Sequence, residues 1–162
     1  MSELPSVLTP VERCRGFKFR VKWDGRYIPE ISRVMGLTRI TQVVEIRDDG
    51  DPNINRKSAG TTRFEPITLE RGLTDDRSFE EWADLVWMPD MEPGCEASVR
   101  EFRKNVEIEL YSETGELMRI YLVRRSWPSE YQLLTLDESE SVVERMRLEN
   151  EGWGWAVPQE AA

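Results

Sequence analysis

The stretch RFEPITLERGLTDDRSFEEWADLVW, residues 63–87, constrains the fold most, because two periodicities meet in it at a sharp join. Residues 63–71 read as a strand in which Pro66, unable to donate to a ladder, favours an edge or a bulge. Beyond Gly72-Leu73-Thr74-Asp75-Asp76, the apolar residues Phe79, Trp82, Leu85 and Val86 fall on one helical stripe. The spacing predicts a helix over about residues 77–87. Asp75, Asp76 and Ser78 are all suitable caps, and Ser78 with Glu81 fits a capping box. Early acids suit the helix dipole, and Pro89 ends the helix. Core packing accounts for the aromatic stripe without any site.

The rest of the chain is mainly β. Phe17, Phe19, Val21 and Trp23 alternate with Lys18, Arg20 and Lys22, and Asp24-Gly25 marks a tight hairpin into residues 26–28. Strands continue over residues 31–37 and 38–47, the second setting Ile40, Val44 and Ile46 opposite Arg39, Thr41, Glu45 and Arg47. Residues 48–62, DDGDPNINRKSAGTT, are dense in Gly, Asp, Asn and Pro and predict a long loop or flexible hairpin. Residues 88–105 are irregular. Val106, Ile108 and Leu110 alternate with Glu107, Glu109 and Tyr111, and Met118, Ile120 and Leu122 with Arg119, Tyr121 and Val123. That pattern predicts a hairpin around Ser112-Glu113-Thr114-Gly115 with Glu–Arg pairs across its polar face. Residues 127–136 and 142–150 complete seven or eight strands, with Met146 and Leu148 inward. Residues 1–15 and 151–162 read as arms. The expectation is one mainly β domain spanning 1–162, a β-barrel or two packed antiparallel sheets with one flanking helix.

Composition removes whole classes of chemistry. The 162 residues contain no His, so His-based triads and zinc-type sites are excluded. Cys14 and Cys95 stand far apart in no metal-ligand spacing, as reduced thiols of a cytoplasmic protein would. A net charge of −9 argues against a nucleic-acid interface. No run approaches the roughly 18 apolar residues of a membrane span, and MSELPSVLTPVERCR lacks the apolar core of a secretory signal.

Asp48, Asp49 and Gly50-Asp51-Pro52 miss the ligand register of a calcium loop, and Asp75-Asp76 read as caps. Ser58 and Ser126 have no base, and Arg124-Arg125 suit a strand-end salt link. No enzymatic activity, metal or cofactor is expected. Two alternatives remain open. Trp23, Tyr27, Trp127 and Tyr131 could line a monomeric β-barrel module for a small ligand or carbohydrate, and converging acids could make a carboxylate-dependent hydrolase.

Two surface features point instead to self-association. Trp153 and Trp155, separated by Gly154, either fold back on the domain or anchor in a neighbour, and the second reading is preferred. The segment with Arg13, Arg15 and Arg20 is basic, and the one with Glu144 and Glu149 is acidic. They can pair within one sheet or across subunits.

GFKFRVKWDG at residues 16–25, EISRVMGL at 30–37, VVEIRD at 43–48 and ITLERGLTDD at 67–76 occur in order, followed by SFEEW at 78–82, SWP at 126–128 and LENEGW at 148–153. This ordered set resembles the tail tube proteins of contractile injection systems, the inner tubes of contractile phage tails, R-type pyocins and phage-tail-like particles. The resemblance implies a non-enzymatic subunit of stacked hexameric rings inside a sheath, driven through a target envelope on contraction. It implies partners as well: other copies, sheath, baseplate and terminator proteins, and protein cargo in the lumen. Assembly would be cytoplasmic, in a particle released by lysis or retained by the cell. Residues 48–62, with Asp51, Asn55, Arg56, Lys57 and Gly60, become the expected ring-stacking loop. Arg13, Arg15, Arg20, Glu144, Glu149, Trp153 and Trp155 become the expected subunit interface. The helix and the 88–105 insertion would face the sheath.

Overall fold

The computed structural model describes residues 18–47, 49–50, 54–87, 102–134 and 142–156. Two antiparallel sheets pack face to face, share one long strand, and leave a two-stranded ribbon outside both. The barrel alternative is not realised.

The first sheet starts with β1 (Lys18–Trp23) and β2 (Arg26–Ile28), joined by the predicted turn. Asp24 and Gly25 both have positive φ, 52° and 70°, as the tight turn of this hairpin demands. β1 pairs on its other side with β7 (Lys104–Tyr111), and β7 with the first half of β8 (Leu117–Leu134). The second sheet joins the far half of β8 to β9 (Val143–Glu149), then β6 (Ile67–Gly72) and β3 (Ile31–Met35).

β8 is therefore the spine, running through both sheets as one 18-residue strand where the sequence pattern suggested two. The turn between sheets lies at Arg125, whose φ of 49° is unusual for a residue with a side chain. Its amide donates to Asn105 Oδ1 (3.0 Å) and its Nε lies 2.7 Å from Glu151. Residues 153–156, expected to be an arm, form β10 (Trp153–Ala156) against β8. The Trp127↔Glu149 and Val123↔Trp153 pairs share one register, so β9 and β10 follow β8 around the corner together. Amide-to-carbonyl bonds Arg124→Gly152 (2.8 Å) and Glu151→Arg124 (3.0 Å) bridge the break.

Alternating residues of both sheets fill the space between them. Val21, Trp23, Ile28, Val106, Ile108 and Val123 meet Ile67, Leu69, Met146 and Leu148. Side-chain phase on β8 is opposite to expectation: Val123 and Tyr121 point inward, while Met118 is half exposed. The expected Glu–Arg pairs fail with it, because Arg119 stands opposite Leu110. Glu107 pairs with Lys22 of β1 instead, at 2.9 Å.

Helix α1 (Ser78–Val86) closes the sandwich with Phe79 and Trp82, which stack on Trp23 at centroid distances of 5.9 and 4.8 Å. Full burial of each is worth roughly 1.5–3 kcal/mol. The indole N–H of Trp82 donates to the Phe102 carbonyl (2.7 Å). No capping box forms. Asp76 Oδ1 accepts from the Ser78 amide (3.0 Å) and from the Ser78 hydroxyl. Leu85, placed on the apolar stripe by its spacing, is exposed.

One charged group sits wholly inside. Arg71, in phase with Ile67 and Leu69, has no accessible surface, and its guanidinium lies 4.1 Å from the centroid of the Phe79 ring. Its Nε donates to Glu144 (2.6 Å), Nη1 to Asp76 Oδ1 (3.0 Å), and Nη2 to the Asp76 carbonyl (2.6 Å). Glu144 also accepts from the Tyr131 hydroxyl (2.8 Å). Asp76 feels burial, which raises its pKa, but hydrogen bonds from Ser78 and Arg71 outweigh this and lower it to about 2. Burial and the Glu144 bond push the Tyr131 hydroxyl well above its ordinary value. Every charge in this node has a partner, which is the condition for burying it.

Candidate assembly surface

The feature outside both sheets is β4 (Arg39–Arg47) paired with β5 (Asn55–Phe64). Residues 48–62 were expected to be a loop or flexible hairpin; residues 55–64 are strand. The NRKSAGTTRF run has no apolar alternation of its own, so only its ladder with β4 defines it. The Met35↔Thr68 and Arg39↔Phe64 pairs keep one register, so β3–β4 and β5–β6 make a single long hairpin. Its inner half is built into the second sheet. Its outer half, nine residues on β4, reaches about 30 Å at the rise of an extended strand.

The root of this ribbon is rigid. Gly36, at φ 98°, passes so close to the chain that an added Cβ would lie 2.4 Å from the Pro66 carbonyl oxygen. The Glu65 amide donates to the Thr38 carbonyl (3.0 Å), and Asn150 Nδ2 to the Glu65 carbonyl (3.0 Å). Phe64 stands edge-to-face with Trp153 at 6.2 Å and covers Gly152. Beyond the root no other described residue covers the ribbon. Every residue of β4 is exposed, including Val43 at 62%, Ile46 at 51% and Ile40 at 40%.

The ribbon has two unlike faces. One carries Ile40, Val44 and Ile46 opposite Arg63, Ser58 and Arg56; the other carries Arg39, Thr41, Val43, Glu45 and Arg47. Between Thr41 and Val43 the register shifts, leaving Gly60 and Thr61 against Gln42. A Cβ on Gly60 would come within 3.0 Å of Val44 and 3.2 Å of the Gln42 carbonyl oxygen. Such a bulge strengthens local twist and re-aims the outer half of a ribbon.

Of the residues expected to stack rings, Asn55, Arg56, Lys57 and Gly60 all lie on β5, and Asp51 lies outside the described residues. The residues expected at the subunit interface are scattered. Arg13 and Arg15 lie outside the described residues. Arg20 is exposed on the first sheet, its guanidinium 5.6 and 5.5 Å from the Tyr27 and Tyr111 rings. Glu144 must be withdrawn from the surface: it is buried against Arg71, because its position on β9 alternates inward. Glu149 accepts from the Ser129 hydroxyl (3.1 Å). Trp153 folds back onto its own chain between Phe64 and Tyr121, whereas Trp155 is exposed beneath Arg119 (5.1 Å). Among the described residues β1 and β9 are separated by β7 and β8, so Arg20 does not pair with Glu144 or Glu149 in one sheet.

The four aromatic residues considered for ligand binding do not converge: Trp127 and Tyr131 border one pocket, Trp23 lines another, and Tyr27 donates to Glu109. Trp23 and Tyr131 serve the core, and Trp127 packs edge-to-face on Phe102 at 6.2 Å. Among the described residues no group of three or more acids and cysteines is placed to hold a metal. No helix there is long and apolar enough to cross a membrane.

Two sheets sharing a spine strand, a helix plugging the sandwich and a projecting ribbon define a mainly β protein with one extended hairpin. The T4-like virus tail tube protein gp19 family matches residues 15–154, and the chain belongs to that family. Solved structures share the fold at low identity. The sheath–tube complex of an extracellular contractile injection system, PVC, in its extended state is 20% identical, with TM-score 0.68 over 86% of this chain and 88% of that one. The tube-terminating cap of the anti-feeding prophage is 19% identical, with TM-score 0.70 over 96% and 95%. A type six secretion system protein is 14% identical, with TM-score 0.53 over 90% and 87%. Among the curated proteins no sequence matches.

Proposed function

We propose that this chain is a subunit of the inner tube of a contractile injection system, its copies closing into hexameric rings that stack into a conduit. One observation carries the reading: a member of the tail tube family bears a firmly rooted ribbon whose apolar residues stay exposed among the described residues. A two-stranded ribbon is marginal alone in water and becomes stable when packed on something else. Strands β2 and β3 end the sheet path, and β10 has β8 as its partner on one side. Neighbouring copies would seal these edges, as closure removes the hazard of an open ladder.

The outward faces suit a water-filled lumen. Glu70 is held between Arg145 (2.6 Å) and Arg33 (3.7 Å), and Glu107 faces Lys22. Protein cargo would travel past such faces, while sheath proteins surround the tube and baseplate and terminator proteins close its ends. Contraction would drive the tube through a target envelope. Assembly belongs in the cytoplasm, with the particle then released by lysis or kept by the cell. The subunit contributes geometry and carries out no reaction.

Negative-stain imaging of the purified chain tests this directly. Rings and tubes are expected; monomers at high concentration in every salt condition would overturn it. If the segment with Arg13, Arg15 and Arg20 meets Glu149 of a neighbour, rings loosen as salt screens the contact, and sedimentation across a salt series reads this. A salt-insensitive ring would exclude charge as its main adhesive.

A further inference from the structure

Between the last turn of α1 and the second half of β8 lies a pocket of about 400 Å³. Trp87, Trp127 and Tyr131 border it, and among the described residues the charged side chains lining it are Asp84 and Glu130. Two of the rings are fixed by their own chain. Trp127 stands edge-to-face with Phe102 at 6.2 Å, and the Tyr131 hydroxyl donates to the buried Glu144 (2.8 Å). β8 bulges at Ser129 between them, and a bulge re-aims the side chains beside it. The third ring is presented to solvent: Trp87 ends α1, its amide donating to the Ala83 carbonyl (3.3 Å), and is 72% exposed. Among the described residues neither Asp84 nor Glu130 makes a hydrogen bond or an ion pair. The cations on the same elements are engaged elsewhere: Arg77 on Glu80 (3.2 Å), Arg145 on Glu70 (2.6 Å), and Arg147, opposite Glu130 in register, on Glu149 (3.8 Å).

We infer that this pocket takes a cationic side chain, the guanidinium or ammonium of an exposed Arg or Lys on a partner protein. The lining decides the chemistry. A cation gains from the negative faces of the aromatic rings and from the unpaired carboxylates together. A neutral occupant such as a sugar would stack on Trp87 but leave two like charges beside it unanswered, and an anion would be repelled. Arg should be held more tightly than Lys, because its planar guanidinium stacks on an indole and takes a carboxylate through two parallel bonds. Since Trp127 and Tyr131 are already held in place, only the Trp87 ring remains to be ordered on binding. The inference adds a partner chemistry that the tube reading does not specify, and it applies to the single chain as well as to an assembly.

Short capped peptides carrying a single Arg, a single Lys, or citrulline, the neutral isostere of Arg, test the pocket on the full chain. The readout is the indole N–H resonances of the tryptophans, assigned with Trp87→Phe and Trp127→Phe. Those of Trp87 and Trp127 should shift at about millimolar peptide, in the order Arg, Lys, then citrulline. Trp87→Ala should weaken binding about threefold or more, read on Trp127. Asp84→Asn with Glu130→Gln should weaken it about fivefold, and high salt should weaken the unaltered chain similarly. Both sites are at the surface, and circular dichroism verifies that each variant folds. Citrulline acting as strongly as Arg, or a response indifferent to salt and to the two acid substitutions, would overturn the inference. So would an absence of any Trp87 shift with the cationic peptides at tens of millimolar. An oligosaccharide that shifts Trp87 where the Arg peptide does not would overturn it too and give the pocket to a carbohydrate. The titration reads the folded chain whether or not it assembles, so its failure and the failure of the tube reading are separate results.

Discussion

Arg71 and Ile46 occupy places that simple hydropathy would exchange. The guanidinium has no exposure and is surrounded by Glu144, Asp76, Ser78 and the Phe79 ring, while the isoleucine stands half in water on the outer half of the ribbon. In the body, sheets and helix bury their apolar faces and then close around an ion network with every charge answered. In the ribbon, the ladder is interrupted by one bulge, and among the described residues no layer packs on it. The body is therefore a finished fold. The ribbon keeps its apolar residues exposed among the described residues.

The sharpest break of this contrast is Arg71→Ala. It would leave Glu144 and Asp76 buried without their cation, and a loss of about 3–5 kcal/mol is expected in denaturant unfolding. Trp82→Ala, which empties the space between Trp23 and the sheets, should cost a similar or slightly smaller amount, about 3–5 kcal/mol by the usual range for large aromatics.

Acid offers a gentler probe of the same node. Asp76 has its pKa held near 2, below the ordinary 3.8, so its contribution is present above about pH 4 and disappears as pH falls towards 2. The loss should be roughly 2 kcal/mol, read as a falling thermal midpoint, and Asp76→Asn should flatten that slope. The smallest effect is expected on the ribbon: Val44→Ser should shift monomer stability by no more than about 0.5 kcal/mol, yet reduce assembly. A large stability loss there would mean that the ribbon belongs to the body after all.

Much of the body was legible from alternation alone. Val21 and Trp23, Val106 and Ile108, Met146 and Leu148 all face the core as their spacing requires, and the helix ends within a residue of expectation. Arg71 went unread although it continues the inward phase of Ile67 and Leu69, because spacing alone does not name the partners an inward charge needs. What stayed hidden depends on pairing. β5 lacks an apolar period, and β10 is too short to show one beside its glycine. β8 shows two possible apolar phases, and only its register with β7 selects Tyr121 and Val123 as the inward set. Exposure of Ile40 and Ile46 could not be read at all, because alternation marks a face without saying which molecule covers it.

The most direct measurement replaces residues 40–63 by a two-residue turn joining Arg39 to Phe64, then compares thermal unfolding and particle mass with the full chain. The account predicts an unchanged midpoint and a monomer where the full chain forms rings and tubes. A collapsed midpoint, or tubes that persist without the ribbon, would contradict it.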